Sequence, residues 1–297
     1  ILHSQDFRFD EEHSPQKRPT ELLIKAKYAN GKTFIYEKRV LRITVSERLF
    51  PITDLTDVKD IGQVFFDIFR SHHWLYENVQ ILHRDMSLNN MMYRKRSKRN
   101  IRILGVFNNF DVSSVIPLQE ATSLHRTGTP PYMAHELLGR SDVGHLYRYD
   151  VEAFYYVQLM LCCRYEIVWS AEGKVMKELS ENKKLLPFEK WYNRTTSWET
   201  LAQVKLGFFF GVEPIFSSKS LSDLLPWLNA IRFLFIQGLF ALANSKIPQT
   251  YLPSHLKPPE SSTPFDNDTL DGHIISEYIL QIMSEIDGHS VKRSDDQ

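Results

Sequence analysis

The stretch "HRDMSLNN", His83 to Asn90, places a carboxylate, a hydroxyl and a carboxamide within one short loop. Asp85 can accept the proton of an attacking hydroxyl. Asn90, at the end of the same loop, offers a neutral amide oxygen to a magnesium ion on nucleotide phosphates. The chemistry that these residue types permit at this spacing is transfer of a phosphoryl group to a hydroxyl. An acid and an amide alone are common, so the specificity of the signal lies in what surrounds them.

Chemistry of this kind is mainly positioning and electrostatics, and the neighbouring elements must supply both. Ahead of the loop, Asp54 or Thr56 caps a predicted helix. Its face is marked by Ile61, Val64, Phe65, Ile68, Phe69, His72 and Leu75 at helical spacing. After the loop, Met91–Tyr93 and Ile101–Val106 read as two short strands joined by a basic connection. Asn109 to Glu136 has little periodicity, and a long irregular segment inside a compact domain is usually functional. From Asp150, "DVEAFYYVQLMLCC" is apolar nearly all round, which suits a helix buried at the centre of a helical lobe. Polar and helical stretches follow. Ser197 is placed to cap "WETLAQVKLGFFF", "LSDLLPWLNAIRFLFIQGLFALAN" makes one or two more helices, and Pro253–Pro264 is a linker. Beyond it, Ile274, Ile275, Tyr278, Ile279, Ile282 and Ile286 mark a last amphipathic helix. Upstream, residues 1–20 read as a loose, disordered leader. Leu22–Ala29 and Thr33–Val40 read as strands around Asn30-Gly31, a pair suited to a type I′ turn because both positions need positive φ.

The order of these features resembles the protein kinases, and within them the fungal-type protein kinase family. The residues that carry the resemblance are "ILHRDMSLNNMMYR" (81–94), "GVFNNFDVSSV" (105–115), "RTGTPPYMAHELL" (126–138) and "YRYDVEAFYYVQLMLCC" (147–163), within a similarity covering residues 40–285. The resemblance implies an α+β, protein-kinase-like fold: a partial β-rich N-lobe over 21–50, a mainly α-helical C-lobe over 51–290 and a tail over 291–297. It also implies transfer from ATP, with Mg2+, to a Ser or Thr hydroxyl of a protein. Asp85 would be the catalytic base, Asn90 a magnesium ligand, and Ser87 a contact near the transferred phosphate or the substrate hydroxyl. Met92 would line the floor of the adenine site. Thr129 would orient Asp85 and shape the substrate-binding loop, Glu136 would close the activation segment, and Asp150 would anchor the catalytic loop through backbone N–H groups. Arg84 would receive either a phosphorylated Thr122, Ser123 or Thr127 or an ordinary carboxylate.

Two positions depart from the family pattern. Asn109 stands where the family places a magnesium-binding Asp, and a neutral amide lacks the charge a hard cation prefers. Asp111, two residues on, could reach the same side of an extended backbone. None of the 12 glycines forms a Gly-x-Gly pair, and Lys25 and Lys27 are the strand lysines in view. The first half of the small lobe is therefore expected to lie outside this chain. Two readings stay open: an active kinase, or a pseudokinase scaffold that keeps the fold without turnover. A small-molecule phosphotransferase shares the Asp-to-Asn spacing, but "GTPPYMAHELL" is a peptide-binding device.

Composition narrows the partners. Of 297 residues, 36 are basic and 36 acidic, so net charge argues against nucleic acid or an anionic membrane as a default partner. The expected partners are ATP and a protein substrate or scaffold partner. Arg94, Lys95, Arg96, Lys98, Arg99 and Arg102 read as a solvated turn. The only cysteines, Cys162 and Cys163, are adjacent, which points to reduced, intracellular chemistry, cytoplasmic or nuclear. No unbroken run of about 18 apolar residues is present to span a bilayer.

Overall fold

A computed structural model describes residues 3–7, 41–45, 47–96, 102–116, 128–140, 144–179, 188–248, 253 and 264–291. The chain divides into two compact units, residues 1–48 with 120–125, and residues 49–119 with 126–297. Their helices and small antiparallel sheets make an α+β protein.

In the first unit, β1 (His3–Phe7) pairs antiparallel with β2 (Leu41–Val45), His3 opposite Val45 and Phe7 opposite Leu41. β1 lies in the segment read as a loose leader. Its backbone groups find partners on a strand distant in sequence, which local polarity does not reveal. The expected hairpin around Asn30-Gly31, with Lys25 and Lys27, lies outside the described residues.

The second unit opens with β3 (Phe50–Pro51) and a 3-10 turn over Ile52–Asp54, then α1 (Val58–Val79). Asp57, and neither Asp54 nor Thr56, caps α1, its carboxylate accepting the Lys59 N–H at 2.8 Å. Asp54 is already committed to the 3-10 turn. Ile61, Val64, Phe65, Ile68, Phe69 and His72 are buried, as the helical spacing implies, and Leu75 is half-buried. Gln80 closes the helix in the left-handed region, φ 56°, and turns the chain into β4 (Ile81–Leu82).

β5 (Met91–Arg96) sits between β3 and β6 (Arg102–Phe107), with Met91 opposite Phe107 and Arg96 opposite Arg102. β5 is longer than Met91–Tyr93, the stretch its apolar residues suggested, and β6 keeps the expected length one residue further on. Arg94, Lys95 and Arg96, read as part of a connecting turn, are strand residues, because Met91 and Tyr93 bury one side while the basic end stays at the surface. This sheet packs on α1 at Gly105, where a Cβ would come within 2.4 Å of the Val64 carbonyl oxygen. β7 (Ser114–Val115) pairs with β4.

α2 (His135–Gly139) leads to α3 (Tyr147–Arg164), every residue of which is buried. A hairpin follows where polar and helical stretches were expected: β8 (Tyr165–Ser170) and β9 (Gly173–Glu178). Gly173, at φ 119°, permits the tight turn between them. After α4 (Glu189–Tyr192), α5 (Trp198–Phe210) is capped by Ser197, whose hydroxyl oxygen accepts the Thr200 N–H at 3.2 Å. A 3-10 turn over Lys219–Leu224 runs into α6 (Leu225–Ser245). By length and composition Lys219–Ser245 could cross a membrane, although Asp223, Asn229, Arg232 and Gln237 interrupt its apolar residues. Its inner face, Trp227, Leu228, Ile231, Phe235, Leu239 and Leu242, joins the core. The last predicted helix is only α7 (Ser276–Ile282). Ile286 belongs to β10 (Glu285–Ile286), paired with β11 (His289–Ser290).

Candidate functional site

The loop from His83 to Asn90 is anchored from α3. Asp150, fully buried, accepts the His83 N–H at 2.7 Å and the Arg84 N–H at 3.0 Å. Arg84 holds φ 69°, a conformation that costs roughly 1 kcal/mol or more for a residue with a Cβ. The Asp150 bond offsets that strain. The same carboxylate meets His72 Nε2 at 3.1 Å and His145 Nε2 at 2.9 Å. Burial alone would raise its pKa, but His145 and His72 beside it hold the Asp150 carboxyl well below the usual carboxylate range.

His83 fixes the next step of the loop. Its ring stacks on Phe107 at 3.8 Å between centroids and takes Phe110 edge-on at 4.7 Å. Burial pushes its pKa down, so the imidazole is neutral. Nε2 lies 3.0 Å from the Asn108 carbonyl oxygen and donates to it, leaving Nδ1 to accept the Asp85 N–H at 3.3 Å.

Asp85 is thereby presented half-exposed, with both carboxylate oxygens engaged. Thr129 Oγ1 donates to Oδ1 at 2.9 Å, and Asn90 Nδ2 donates to Oδ2 at 3.3 Å and to the Asp85 carbonyl at 2.8 Å. Asn90 is held in turn through its own N–H to Ser87 O, 3.0 Å, and its carbonyl to Asn108 N, 3.2 Å. With its amide nitrogen committed to Asp85, the Asn90 amide oxygen accepts no hydrogen bond from the described residues. Its donor chemistry suits a hard cation. Ser87 is buried, and its hydroxyl makes no hydrogen bond among the described residues. A cavity of about 10 Å³ beside Arg84, Asp85, Thr129, His145 and Asp150 has room for one water molecule.

The remaining sequence-selected residues lie further out. Met92 is half-buried on β5, opposite Pro51 and Val106. Asn109, at φ 64°, and Asp111 are exposed on either side of Phe110, in a turn closed by the Ser113 N–H on the Phe110 carbonyl at 3.1 Å and not on the extended backbone that the sequence suggested; the Asn108 N–H joins this segment to the Asn90 carbonyl. No group of three or more His, Cys, Asp or Glu side chains among the described residues could hold a metal ion. Thr122, Ser123 and Thr127 lie outside the described residues.

The segment carrying Thr129 is built on Gly128, whose φ of 124° excludes a side chain; a Cβ there would sit 2.9 Å from Met133 Cγ. Thr129 O accepts the Tyr132 and Met133 N–H groups at 2.8 and 3.1 Å. Below it stands Lys205, entirely buried on α5. Its ammonium donates to the carbonyls of Pro130 at 3.1 Å, Pro131 at 2.9 Å and Met133 at 2.6 Å. The rings of Tyr156 and Trp191 lie 4.4 and 4.8 Å from the same nitrogen. Burial pushes the Lys205 pKa well down, and the Glu152 carboxylate partly opposes that. Further along, His135 Nδ1 and N–H both reach Glu152 Oε1, at 2.9 and 2.7 Å, while Glu136 pairs with Arg148 and Tyr149.

Reasoning from sequence selected Asp85, Asn90, Thr129 and Asp150, which the structure brings together, but passed over Lys205, His145, Glu152 and the part His72 plays. Glu152 and Lys205 had one readable signal: each is a charge with apolar residues on both sides of it in its helix, Val151 and Ala153 or Val204 and Leu206.

The sequence profile of the fungal protein kinase family matches residues 3–162, more than half of the chain, and the chain belongs to that family. The match starts and ends nearer the N-terminus than the stretch read from the motifs. No curated protein matches the chain.

Proposed function

We propose that this chain performs protein-kinase-type phosphoryl transfer, from ATP with magnesium to a Ser or Thr hydroxyl of a protein, on a kinase-like two-lobed fold. The observation that carries the reading is the Asp85 carboxylate, oriented by Thr129 on one oxygen and by Asn90 on the other. In this reading Asp85 takes the proton of the substrate hydroxyl as its oxygen attacks phosphorus. Thr129 couples the base to the substrate-binding segment, so a displaced segment also misorients the base. Ser87 is near enough in the loop to contact the acceptor hydroxyl, and Met92 underlies the adenine. Asn90, through its free amide oxygen, and Asp111, through its exposed carboxylate, would hold the metal, with Asn109 as a neutral third donor. Magnesium, when bound, neutralises charge on the phosphates. The buried free thiols of Cys162 and Cys163 support a reducing, intracellular setting.

A second reading, a scaffold that binds without turnover, is favoured by one observation: Asn109 is neutral and exposed where the resemblance places a metal-binding Asp. Thermal shift with millimolar ATP and magnesium tests the nucleotide site. A rise in Tm that Asn90→Ala abolishes is the expected result, and no shift in the wild-type chain would sink the catalytic reading.

A further inference from the structure

The stretch from Thr129 to Glu136 is tied down at both ends. At one end Thr129 Oγ1 donates to Asp85 Oδ1 at 2.9 Å. At the other, Glu152 Oε1 on α3 accepts the His135 N–H at 2.7 Å, and Glu136 pairs with Arg148. Between them the Thr129 carbonyl takes the Tyr132 and Met133 N–H groups, which closes a turn. Pro130 and Pro131 have no N–H, and the carbonyls of both go to Lys205. Among the described residues, Lys205 therefore supplies all the backbone hydrogen bonding of these two prolines.

Where Lys205 grips the turn matters as much as how firmly. Its Nζ holds Pro130 O at 3.1 Å and Pro131 O at 2.9 Å inside the turn, and Met133 O at 2.6 Å at its end. An ammonium has three N–H groups, so each carbonyl receives one. The side chain is fully buried, and the rings of Tyr156 and Trp191 wall in the nitrogen. Three carbonyls converging on one fixed nitrogen keep the turn from rotating about its own chain. The first of them belongs to the residue next to Thr129, so a shift there carries the Thr129 hydroxyl with it.

We infer that Lys205 is a positioning residue of the Asp85 site: from beneath the turn it fixes Thr129, and through Thr129 the carboxylate of Asp85. The inference rests on the reading of Asp85 as the base of a phosphoryl transfer, and it adds a residue that acts on that base only through another. A displacement of about 1 Å at a reacting group can cost roughly a hundredfold in rate. Loss of Lys205 should act on transfer and on binding of the protein substrate, and leave the nucleotide alone, because its contacts all lie in the turn and its supporting rings.

The test is transfer from ATP with magnesium to a Ser- and Thr-containing protein, expressed per folded molecule at a temperature well below Tm. It compares wild type, Lys205→Met, Thr129→Val and the double variant. Lys205→Met should lower kcat roughly tenfold to a hundredfold and raise KM for the protein but not for ATP. In the Thr129→Val background the same change should cost less than about threefold, because no hydroxyl is left to position. Lys205→Gln keeps two N–H donors and should fall between wild type and methionine. It carries the comparison if the methionine variant does not fold. An unchanged kcat per folded molecule, an equal loss in both backgrounds, or a parallel rise in both KM values would overturn the inference and leave Lys205 with stability alone. If the wild type transfers nothing, the reading of Asp85 as a base fails separately, and the carboxylate carbon resonance of Asp85 decides by NMR. Lys205→Met should move it in the direction that Thr129→Val does. A resonance left at its wild-type position would overturn the inference.

Discussion

Replacing Lys205 with methionine keeps the length of the side chain and removes its three donors together. The carbonyls of Pro130, Pro131 and Met133, at 2.6–3.1 Å, lose the group that satisfies them. Pro130 and Pro131 have no N–H, so the segment has little of its own to offer in exchange. Hydrogen bonds to a charged donor contribute about 1.5–3 kcal/mol each, so the gross loss is several kcal/mol. Against that, the variant no longer buries an ammonium, a cost also of several kcal/mol. What remains is the cost of three carbonyls without donors, partly relieved as the segment relaxes, for a net destabilisation of about 2–4 kcal/mol. For a domain of this size that lowers Tm by roughly 4–16 °C. The loosening should be local before it is global. Hydrogen exchange at the Tyr132 and Met133 amides, which donate to Thr129 O, should accelerate more than exchange in α3. A Tm within about 1 °C of wild type together with unchanged exchange at these two amides would refute the reasoning.

Asp150→Ala leaves the His83 and Arg84 N–H groups without their buried acceptor and should cost about 3–5 kcal/mol, read from the urea midpoint, with Asp150→Asn costing less. The His135–Glu152 pair should shape the pH dependence of stability. Burial would lower the His135 pKa, but Glu152 beside it raises it, so the folded state holds this proton more tightly than the unfolded chain does. The resulting stability is complete below about pH 6.5 and is lost as pH rises through the raised value. Tm of the wild type should therefore fall relative to His135→Gln on the alkaline side, and parallel curves would count against the pair. On the acid side, the depressed pKa values of Asp150 and Glu152, each lowered by histidine contacts against the effect of burial, make stability fall once pH drops below the usual carboxylate range. Asn109→Asp should tighten ATP–magnesium binding in calorimetric titration, and an unchanged affinity would show that this turn does not reach the metal.

What was legible in the sequence is what local pattern encodes. The helical spacing of Ile61 to His72 and the apolar run after Asp150 marked the buried faces of α1 and α3, and the spacing from Asp85 to Asn90 marked a loop that the structure closes with hydrogen bonds from Asn90 to Asp85. Ser197 announced the start of α5. Features that depend on distant partners were not legible. β1 needs β2, the β8–β9 hairpin arose in a stretch that looked polar, and Lys205 acquires its role only when α5 folds beneath Pro130 and Pro131. The triple use of Asp150 by the His83–Arg84 backbone, His72 and His145 is likewise a property of packing, since no spacing in the chain links residues 72, 83 and 145. The Asp57 cap shows the lesser limit, a boundary displaced by a residue or a few among several acceptable caps.

The proposed function makes Asp85 the base of a phosphoryl transfer. Single-turnover transfer from labelled ATP with magnesium to Ser- and Thr-containing protein, compared between the wild type and Asp85→Asn, tests it most directly. The predicted result is a rate lowered by roughly 10²–10⁴-fold in the variant, with nucleotide affinity and Tm little changed. Equal rates in the two proteins, or no transfer by a wild-type chain saturated with ATP and magnesium, would contradict it.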